Sequence, residues 1–262
     1  MDIVPEITRN SIIKLINNGE RTDGRDLDEY REIFIQPNCI SKAEGSSRVK
    51  IGNTQVIAGI KPTIGVPFQD TPDLGVVMVN SELLPMASPE FEAGPPGPES
   101  IELARVVDRG IRESQLIDLD KLCIKEGEKV WMLFIDLHII DYDGNLFDAC
   151  NLAIMSALLN CQLPEATMKD DEVEINEEKL IPLSVNDKLS LSTFVKIGDK
   201  LVVDPGLDEE RILESRITVG TSEKGQCVCS AQKGGVKPLT RDEILEAVHK
   251  SFDKQEDLLS NL

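Results

Sequence analysis

The sequence contains little histidine, no cysteine pair of the CxxC type and no long apolar run. His138 and His249 are its only histidines, and six cysteines are scattered along the 262 residues. Because zinc sites are built from clustered Cys and His ligands, we expect no zinc site, and no cofactor is predicted. The cysteines are interpreted as reduced core residues, and His138, inside the apolar stretch LFIDLHIID, as a packed strand residue.

Neither a membrane span nor a targeting segment is visible in the sequence. No run of 18 or more apolar residues occurs, and the first ten residues, MDIVPEITRN, lack the pattern of a signal peptide. These two absences predict a soluble, cytoplasmic protein. With 40% hydrophobic residues over this length, the chain has enough apolar material for two modest domains.

Positive charge is also scarce. The chain has 47 acidic and 28 basic residues, which gives a formal net charge of −19. Such a charge repels nucleic acid at a distance, so a free-standing RNA binder is not expected. Any contact with RNA must be local and completed by a more basic partner. The alternative interpretation is that the acidic surface serves solubility alone.

Predicted strands followed by a helix occur twice, which favours an α+β fold whose sheets are covered on one side by helices. In the first half, Gly52-Asn53 predicts a tight hairpin, 130–141 a strand buried on both faces, and 146–161 a buried helix. In the second half, Thr240 is predicted to cap the final helix. The chain is divided into an N-terminal helix and arm (1–30), a first domain (31–164), an acidic, weakly patterned connector (165–188), and a second domain with a C-terminal helix (189–262).

The most informative stretch is 99–117, a predicted amphipathic helix that follows a Pro/Gly-rich loop. On a 3.6-residue period its apolar residues share one face, and the opposite face carries Arg105, Arg109 and Arg112. Three guanidinium groups on one surface suit the phosphates of a polyanion. The same spacing suits ordinary ion pairs with acidic residues one turn away, such as Asp108. The pattern alone leaves both interpretations open.

A second basic cluster lies in the segment RTDGRDLDEYR, where Asp23-Gly24 predicts a turn. Arg21, Arg25 and Arg31 are close together in this sequence. From local sequence they indicate only a charged turn.

Six separated motifs resemble, in order, those of the RNase PH-type ring proteins. They are RTDGR at 21–25, KIGNTQVIAGIKP at 50–62, SELLPMASPEFEAGPPG at 81–97, ELARVVDRGIRES at 102–114, DYDGNLFDACNLAIMSAL at 141–158 and LVVDPGLDEE at 201–210. The match covers nearly the whole chain, so it is far more specific than one short motif. It is strongest to the core ring of the archaeal exosome and, within that ring, to the subunit regarded as non-catalytic.

The resemblance implies an RNase PH-like fold of two α/β subdomains with helix-covered mixed sheets. It also implies a hexameric ring in which three heterodimers alternate this chain with a catalytic RNase PH-type paralogue. Such a ring degrades RNA from the 3′ end with inorganic phosphate as the attacking species, and RNA-binding cap subunits lie on one of its faces.

The resemblance further implies where the chemistry would lie. Active members carry a Gly/Ser/Thr-Arg sequence at the start of the helix after the central strand, where this chain has Asp148-Ala149-Cys150-Asn151. Glycine and arginine are both missing. A carboxylate stands where a phosphate would bind, and this predicts that the phosphate site is lost.

Active members also carry two aspartates six residues apart, one of them proposed as the general acid for the leaving 3′ oxygen. Asp204 and Glu210 have that spacing here and are interpreted as a vestigial catalytic pair. Glutamate is able to transfer a proton, so this pair alone leaves activity open. The alternative is a cluster at a helix start, where acidic residues favour the positive end of the helix dipole.

In related ring subunits the arginine helix lines the RNA path, and Arg105, Arg109 and Arg112 match its basic positions. We therefore predict a non-catalytic ring subunit that binds single-stranded RNA and supports the catalytic paralogue in 3′-to-5′ phosphorolytic degradation. Two alternatives remain: an active phosphate-dependent exoribonuclease that uses Asp204 and Glu210, and a purely structural spacer whose arginines are only ion-paired.

Overall fold

A computed structural model describes residues 5–169 and 172–262, which form two main sheets and a two-stranded ribbon. The first sheet contains β1 (Ile33–Pro37), β2 (Gly45–Ile51), β3 (Thr54–Gly65), β4 (Val76–Leu83), β5 (Cys123–Lys125) and β6 (Lys129–Asp141). The ribbon contains β7 (Gln162–Lys169) and β8 (Glu172–Pro182), and the second sheet contains β9 (Leu189–Ile197), β10 (Lys200–Val203), β11 (Ser215–Ser222) and β12 (Val228–Gly235). The helices are α1 (Glu6–Asn17), α2 (Pro98–Glu113), α3 (Leu146–Leu159), α4 (Leu207–Ile212) and α5 (Arg241–Leu259).

The two main sheets differ in how their strands pair. The first has the order β1-β2-β3-β6-β4, with β5 on the end of β6, and it is mixed because β4 runs parallel to β6. The second has the order β10-β9-β11-β12 and is antiparallel throughout. The α+β architecture predicted from the sequence is confirmed. The predicted hairpin is also confirmed, since Gly52 adopts a φ of 56° between β2 and β3.

Helix α3 lies between the two sheets and joins their cores. Every residue from Phe147 to Leu158 is buried, and the helix packs against β2 and β3 on one side and β9 on the other. An almost uniformly apolar helix is stable only when all its faces are covered. This position explains why no amphipathic pattern marks the segment in the sequence.

Three expectations about β6, His138 and the cysteines are wrong in whole or in part. The central strand β6 alternates between buried and partly exposed residues, so only one of its faces is fully buried. His138 lies on the other face, where it is half-exposed, with Nδ1 3.1 Å from Oε2 of Glu82.

Of the six cysteines, only Cys150 and Cys161 are buried. All six are free, and Cys227 is exposed because it lies in the turn before β12, at the edge of the second sheet.

The N-terminal segment packs on the second half of the molecule although it precedes the first half in sequence. Ile12 and Ile16 of α1 share an apolar cluster with Val195, Ile197 and Val202 of β9 and β10. The C-terminal helix α5 packs on β9 and β11, and Thr240 caps it with a reciprocal hydrogen bond to Glu243, as predicted.

The predicted connector is more regular than its composition indicates. Strands β7 and β8 pair in antiparallel fashion, and nearly all described residues of β8 are exposed. Because both faces of such a ribbon meet solvent, the usual alternation of apolar and polar residues is absent from its sequence. Among the described residues, no helix combines the length and the apolar character that crossing a bilayer requires.

Candidate nucleic-acid interface

Helix α2 presents the arginine face predicted from the sequence, but it is shorter than predicted. It begins at Pro98, whose fixed φ suits the first turn, and ends at Glu113 rather than at residue 117. The chain leaves the helix because Gln115 adopts a left-handed φ of 50°. The buried face of the helix packs on β4, β9, β12 and α3.

The structure places Arg105, Arg109 and Arg112 together on the exposed face of α2. Arg112 donates from Nε to Oδ2 of Asp108 at 2.7 Å and from Nη2 to the carbonyl oxygen of Val77 at 2.5 Å. Arg109 donates from Nη2 to Oε1 of Gln232 on β12 at 2.7 Å. Within the described part of the chain Arg105 has no side-chain hydrogen bond or ion pair. The ion-pair interpretation therefore accounts for one of the three arginines.

Helix α2 also contacts the second sheet closely, at Gly110. A Cβ atom at this position would lie 2.8 Å from Cδ2 of Leu189, so glycine allows the helix to approach β9. Beside this contact, Nη2 of Arg216 lies 2.7 Å from Oε1 of Glu102, and its guanidinium group stacks 4.3 Å above the ring of Phe147. The arginine face is thus supported by both halves of the molecule.

The start of α3, where active relatives are expected to bind phosphate, is filled by carboxylates of the chain itself. The backbone N–H of Asn145 donates to Oε1 of Glu210 at 2.8 Å. The side-chain amide of Asn145 donates to Asp148 at 2.8 Å and to Asp204 at 2.7 Å. Anions are stabilised at a helix start by free N–H groups and the helix dipole. Here carboxyl groups of the protein itself accept these hydrogen bonds.

Asp148 was expected to stand in an open phosphate site, but it is fully buried. Its Oδ2 accepts hydrogen bonds from Tyr30, from Asn145 and from the backbone N–H of Thr193, and its Oδ1 contacts the hydroxyl of Thr193 at 2.7 Å. Burial raises the pKa of Asp148 to about 7, against the opposing effect of these hydrogen bonds. The Thr193 hydroxyl can accept a hydrogen bond from protonated Asp148 and itself donate one to Thr218 at 3.0 Å, so the site also suits the protonated acid.

Asp204 is equally buried, but two arginines hold it ionised. Arg31 donates to it from its backbone N–H, from Nε and from Nη2 at 2.8–2.9 Å, and Arg25 donates from Nη1 at 2.9 Å. Burial opposes ionisation, but the hydrogen bonds and charge of Arg31 outweigh it and lower the pKa of Asp204. Asp204 adopts a φ of 46° in the tight turn before α4.

Glu210 lies at the same helix start in a less charged environment. Its Oε2 accepts a hydrogen bond from the hydroxyl of Tyr142 at 2.6 Å. Burial raises the pKa of Glu210, with the Tyr142 hydrogen bond acting in the opposite direction. Asn145 contacts both Asp204 and Glu210, so the structure places the two carboxyl groups around one residue. Glu210 also lies in the first turn of α4, the helix of the DPGLDEE segment that the alternative interpretation invoked, whereas Asp204 precedes this helix.

The three arginines of the RTDGRDLDEYR segment, Arg21, Arg25 and Arg31, have structural roles that the local sequence did not indicate. Arg21 forms a buried ion pair with Glu209 at 2.6 Å and donates to the carbonyl oxygens of Val203 and Asp204. With Arg25 and Arg31 it fastens the N-terminal arm to the loop before α4. Two features of the sequence could have indicated this contact. Three basic residues lie close together in a very acidic chain, and an acidic segment of opposite charge, DPGLDEE, occurs at 204–210.

Asp148 gives the folded chain an unusual pH dependence. Because its pKa of about 7 lies above the ordinary 3.8, the folded state binds this proton more tightly than the unfolded state between these values. The stabilisation contributed by this group is complete below pH 3.8 and is lost as pH rises through 7. Between these values the free energy of unfolding falls with a slope approaching about 1.4 kcal/mol per pH unit. We expect this slope in the difference in unfolding free energy between the wild type and Asp148→Asn.

Urea denaturation of both proteins at several pH values measures that difference directly. All other titrating groups contribute equally to the two proteins, so they cancel from the comparison. Parallel pH profiles for the wild type and Asp148→Asn would show that Asp148 does not titrate in this range.

Comparison with known proteins identifies the family. Residues 29–164 match the model of the 3′ exoribonuclease family, domain 1, and residues 189–254 match domain 2 of the same family. The exosome complex component Rrp42 of Methanothermobacter thermautotrophicus is 62% identical over 262 residues, which cover 100% of this chain and 96% of that protein.

Solved structures agree with the sequence comparison. A chain of the Archaeoglobus fulgidus exosome with RNA bound to the active site is 43% identical, with a TM-score of 0.89 and 97% of each chain covered. A chain of an archaeal exosome core is 40% identical, with a TM-score of 0.82 and coverage of 97% of this chain and 96% of that one. These matches confirm the resemblance inferred from the six motifs. The chain therefore belongs to the 3′ exoribonuclease (RNase PH) family and, within it, to the Rrp42 components of the exosome complex.

Proposed function

We propose that this chain is a non-catalytic subunit of a cytoplasmic exosome ring that binds single-stranded RNA for a catalytic RNase PH-type paralogue. Three heterodimers of the two chains form the hexamer, and RNA-binding cap subunits cover one face. The assembled ring degrades RNA from its 3′ end by phosphorolysis. The family assignment and the structural match to an exosome with RNA in its active site support this role.

The observation that carries the proposal is the occupied start of α3. Phosphorolysis needs a pocket in which free N–H groups and a cation bind inorganic phosphate beside the scissile bond. In this chain Glu210 accepts the hydrogen bond of the Asn145 N–H, and Asp148 and Asp204 lie within hydrogen-bond distance of the Asn145 amide. A phosphate dianion placed here would compete with three carboxyl groups for these donors, and the ionised Asp204 would repel it strongly because little water screens the two charges.

The vestigial acid pair is also poorly suited to proton transfer. A general acid must carry a proton near the working pH and lie within hydrogen-bond distance of the leaving oxygen. Asp204 is held ionised by Arg25 and Arg31, and its side chain is fully buried. Glu210 accepts hydrogen bonds from the Tyr142 hydroxyl and from the backbone N–H of Asn145. Both residues stabilise the fold, and neither presents a proton to a substrate.

The arginine face supplies the contribution of this subunit to the reaction. Arg105, Arg109 and Arg112 are exposed along one side of α2, at a spacing that suits successive backbone phosphates. Contacts of this kind fix the position of a strand without selecting its bases. The arginines would hold the last nucleotides while the neighbouring subunit cleaves them. These three positive charges allow local contact with RNA although the net charge of −19 repels RNA at a distance.

Purified protein tests the catalytic part of the proposal. The chain alone, incubated with oligo(A) and inorganic phosphate, should release no nucleoside diphosphates. The same RNA should be degraded once the catalytic paralogue is added, and the mass of the assembly should correspond to three copies of each chain. Steady release of nucleoside diphosphates by the chain alone would establish the active-enzyme alternative.

A further inference from the structure

We propose that Gln232 of β12 is a positioning residue for Arg109, fixing its guanidinium group for contact with an RNA phosphate. This inference rests on the proposed function and adds a residue from the second half of the molecule to the arginine face. Gln232 accepts a hydrogen bond from Nη2 of Arg109 at 2.7 Å, across 123 positions of sequence. Local sequence pattern on α2 gives no indication of this contact.

The backbone of β12 explains why Gln232 reaches the arginine face. Side chains two apart on a strand point to the same side, so Ser230 and Gln232 both face α2. At Ser230 the helix is very close, since a Cβ on Gly110 would lie 3.7 Å from the Ser230 hydroxyl. Gln232 is the next residue on that side of the strand and lies beside Arg109. The contact between α2 and β12 therefore places Gln232 within hydrogen-bond distance of Arg109.

The orientation of the Gln232 amide is set by its second partner. Its Nε2 lies 3.4 Å from Oε1 of Glu102, while its Oε1 accepts from Arg109. Only this orientation satisfies both neighbours, because Arg109 can only donate and ionised Glu102 can only accept. Glu102 is itself held by Arg216, which stacks on Phe147. The amide is thus anchored through a chain of contacts that reaches the buried start of α3.

A neutral acceptor has a specific advantage at this position. A carboxylate would hold the guanidinium group more tightly but would also offset part of the positive charge that attracts a phosphate. Arg112 illustrates that case, because it is paired with Asp108. Gln232 occupies one N–H of Arg109 and leaves its positive charge and four remaining donors for a ligand. The side chain is ordered before RNA arrives, so less conformational entropy is lost on binding.

Binding of fluorescent oligo(A) to the assembled ring, measured over a range of salt concentrations, tests this inference. Arg109→Ala should lower affinity and reduce the slope of log K against log salt by roughly 0.7, the value for one phosphate contact on a single strand. Gln232→Ala should lower affinity by roughly three- to tenfold, with the slope unchanged, because the arginine remains but is no longer ordered. The double variant should be no weaker than Arg109→Ala alone. Gln36→Ala, at an exposed position on β1, is the matched control and should bind as the wild type does.

Gln232→Glu separates positioning from simple packing. The substitution keeps the size of the side chain but adds a charge, so we expect weaker binding than with Gln232→Ala. Wild-type affinity for Gln232→Ala, additive losses in the double variant, or normal binding by Gln232→Glu would each overturn the inference. If Arg109→Ala itself leaves affinity and salt slope unchanged, the proposed role of the arginine face fails instead.

Discussion

Replacing Arg31 by methionine is expected to lower the free energy of unfolding by about 3–5 kcal/mol, the usual cost of leaving a buried charge without its partner. Asp204 is fully buried and receives three of its hydrogen bonds from Arg31. Two of these come from the guanidinium group and would be lost, as would the hydrogen bond from Arg31 to the carbonyl oxygen of Asp143. Arg25 and Asn145 still donate to Asp204, but they do not replace the two hydrogen bonds from the Arg31 guanidinium group. Equilibrium denaturation of the purified chain in urea measures the loss.

Asp23→Asn provides a matched control within the same cluster. Asp23 pairs with Arg25 at 2.7 Å, but its side chain is 45% exposed. An exposed pair of this kind contributes little, so the change should be within about 1 kcal/mol. An equal decrease in the free energy of unfolding for Arg31→Met and Asp23→Asn would mean that burial does not determine how much these ion pairs contribute to stability. In that case the buried ion pairs would not be what stabilises the contact between the N-terminal arm and the loop before α4.

Elements defined by local pattern were predictable from the sequence. The arginine face of α2 followed from a 3.6-residue period, the β2–β3 hairpin from Gly52-Asn53, and the start of α5 from a Ser/Thr-type cap. Each of these signals depends on residues within a few positions of one another. The structure confirmed them because tertiary packing did not oppose the local preference. The predicted end of α2 at residue 117 was wrong, because apolar residues continue beyond the left-handed turn at Gln115.

Contacts between distant residues were not predictable in this way. Arg21 and Glu209 form a buried pair across 188 positions, and Arg31 reaches Asp204 across 173. A sequence records the charges but not which of them meet. The same reason explains Asp148, which was expected to face a substrate phosphate. Its actual neighbours, Tyr30 and Thr193, lie far away in sequence and enclose it completely.

These distant contacts also bear on the proposed division of the chain into a closed pocket and an RNA-binding face. At the start of α3, carboxylates of the chain take the place expected for phosphate in active relatives and give the two halves a charged, buried connection. The arginine face of α2 lies elsewhere and does not depend on that pocket being open. In the proposed function, the carboxyl groups at the start of α3 contribute stability and the exposed face of α2 contributes RNA binding.

The double variant Arg109→Glu/Arg112→Glu is expected to weaken RNA binding by the assembled ring on the order of 100-fold or more. Each charge-assisted hydrogen bond to a phosphate contributes about 1.5–3 kcal/mol, and reversal adds repulsion to the loss of contact. Two phosphate contacts fewer should also reduce the slope of log K against log salt by about 1.4. Phosphorolysis by the intact ring should slow at low RNA concentration, although the paralogue's own active site is unchanged. Fluorescence binding with oligo(A) and release of nucleoside diphosphates are the measurements.

The control must change net charge equally without touching α2. Lys14→Glu/Lys200→Glu does so, because both lysines are exposed and lie on α1 and β10, at the opposite edge of the second sheet from β12. At moderate salt the control should bind RNA nearly as the wild type does, since screening limits charge effects to about 10 Å. Equal weakening by both double variants would indicate a general effect of net charge. Unchanged affinity and decay rate with Arg109→Glu/Arg112→Glu would favour the structural spacer, because arginines that only form ion pairs within the chain make no contact for RNA to lose.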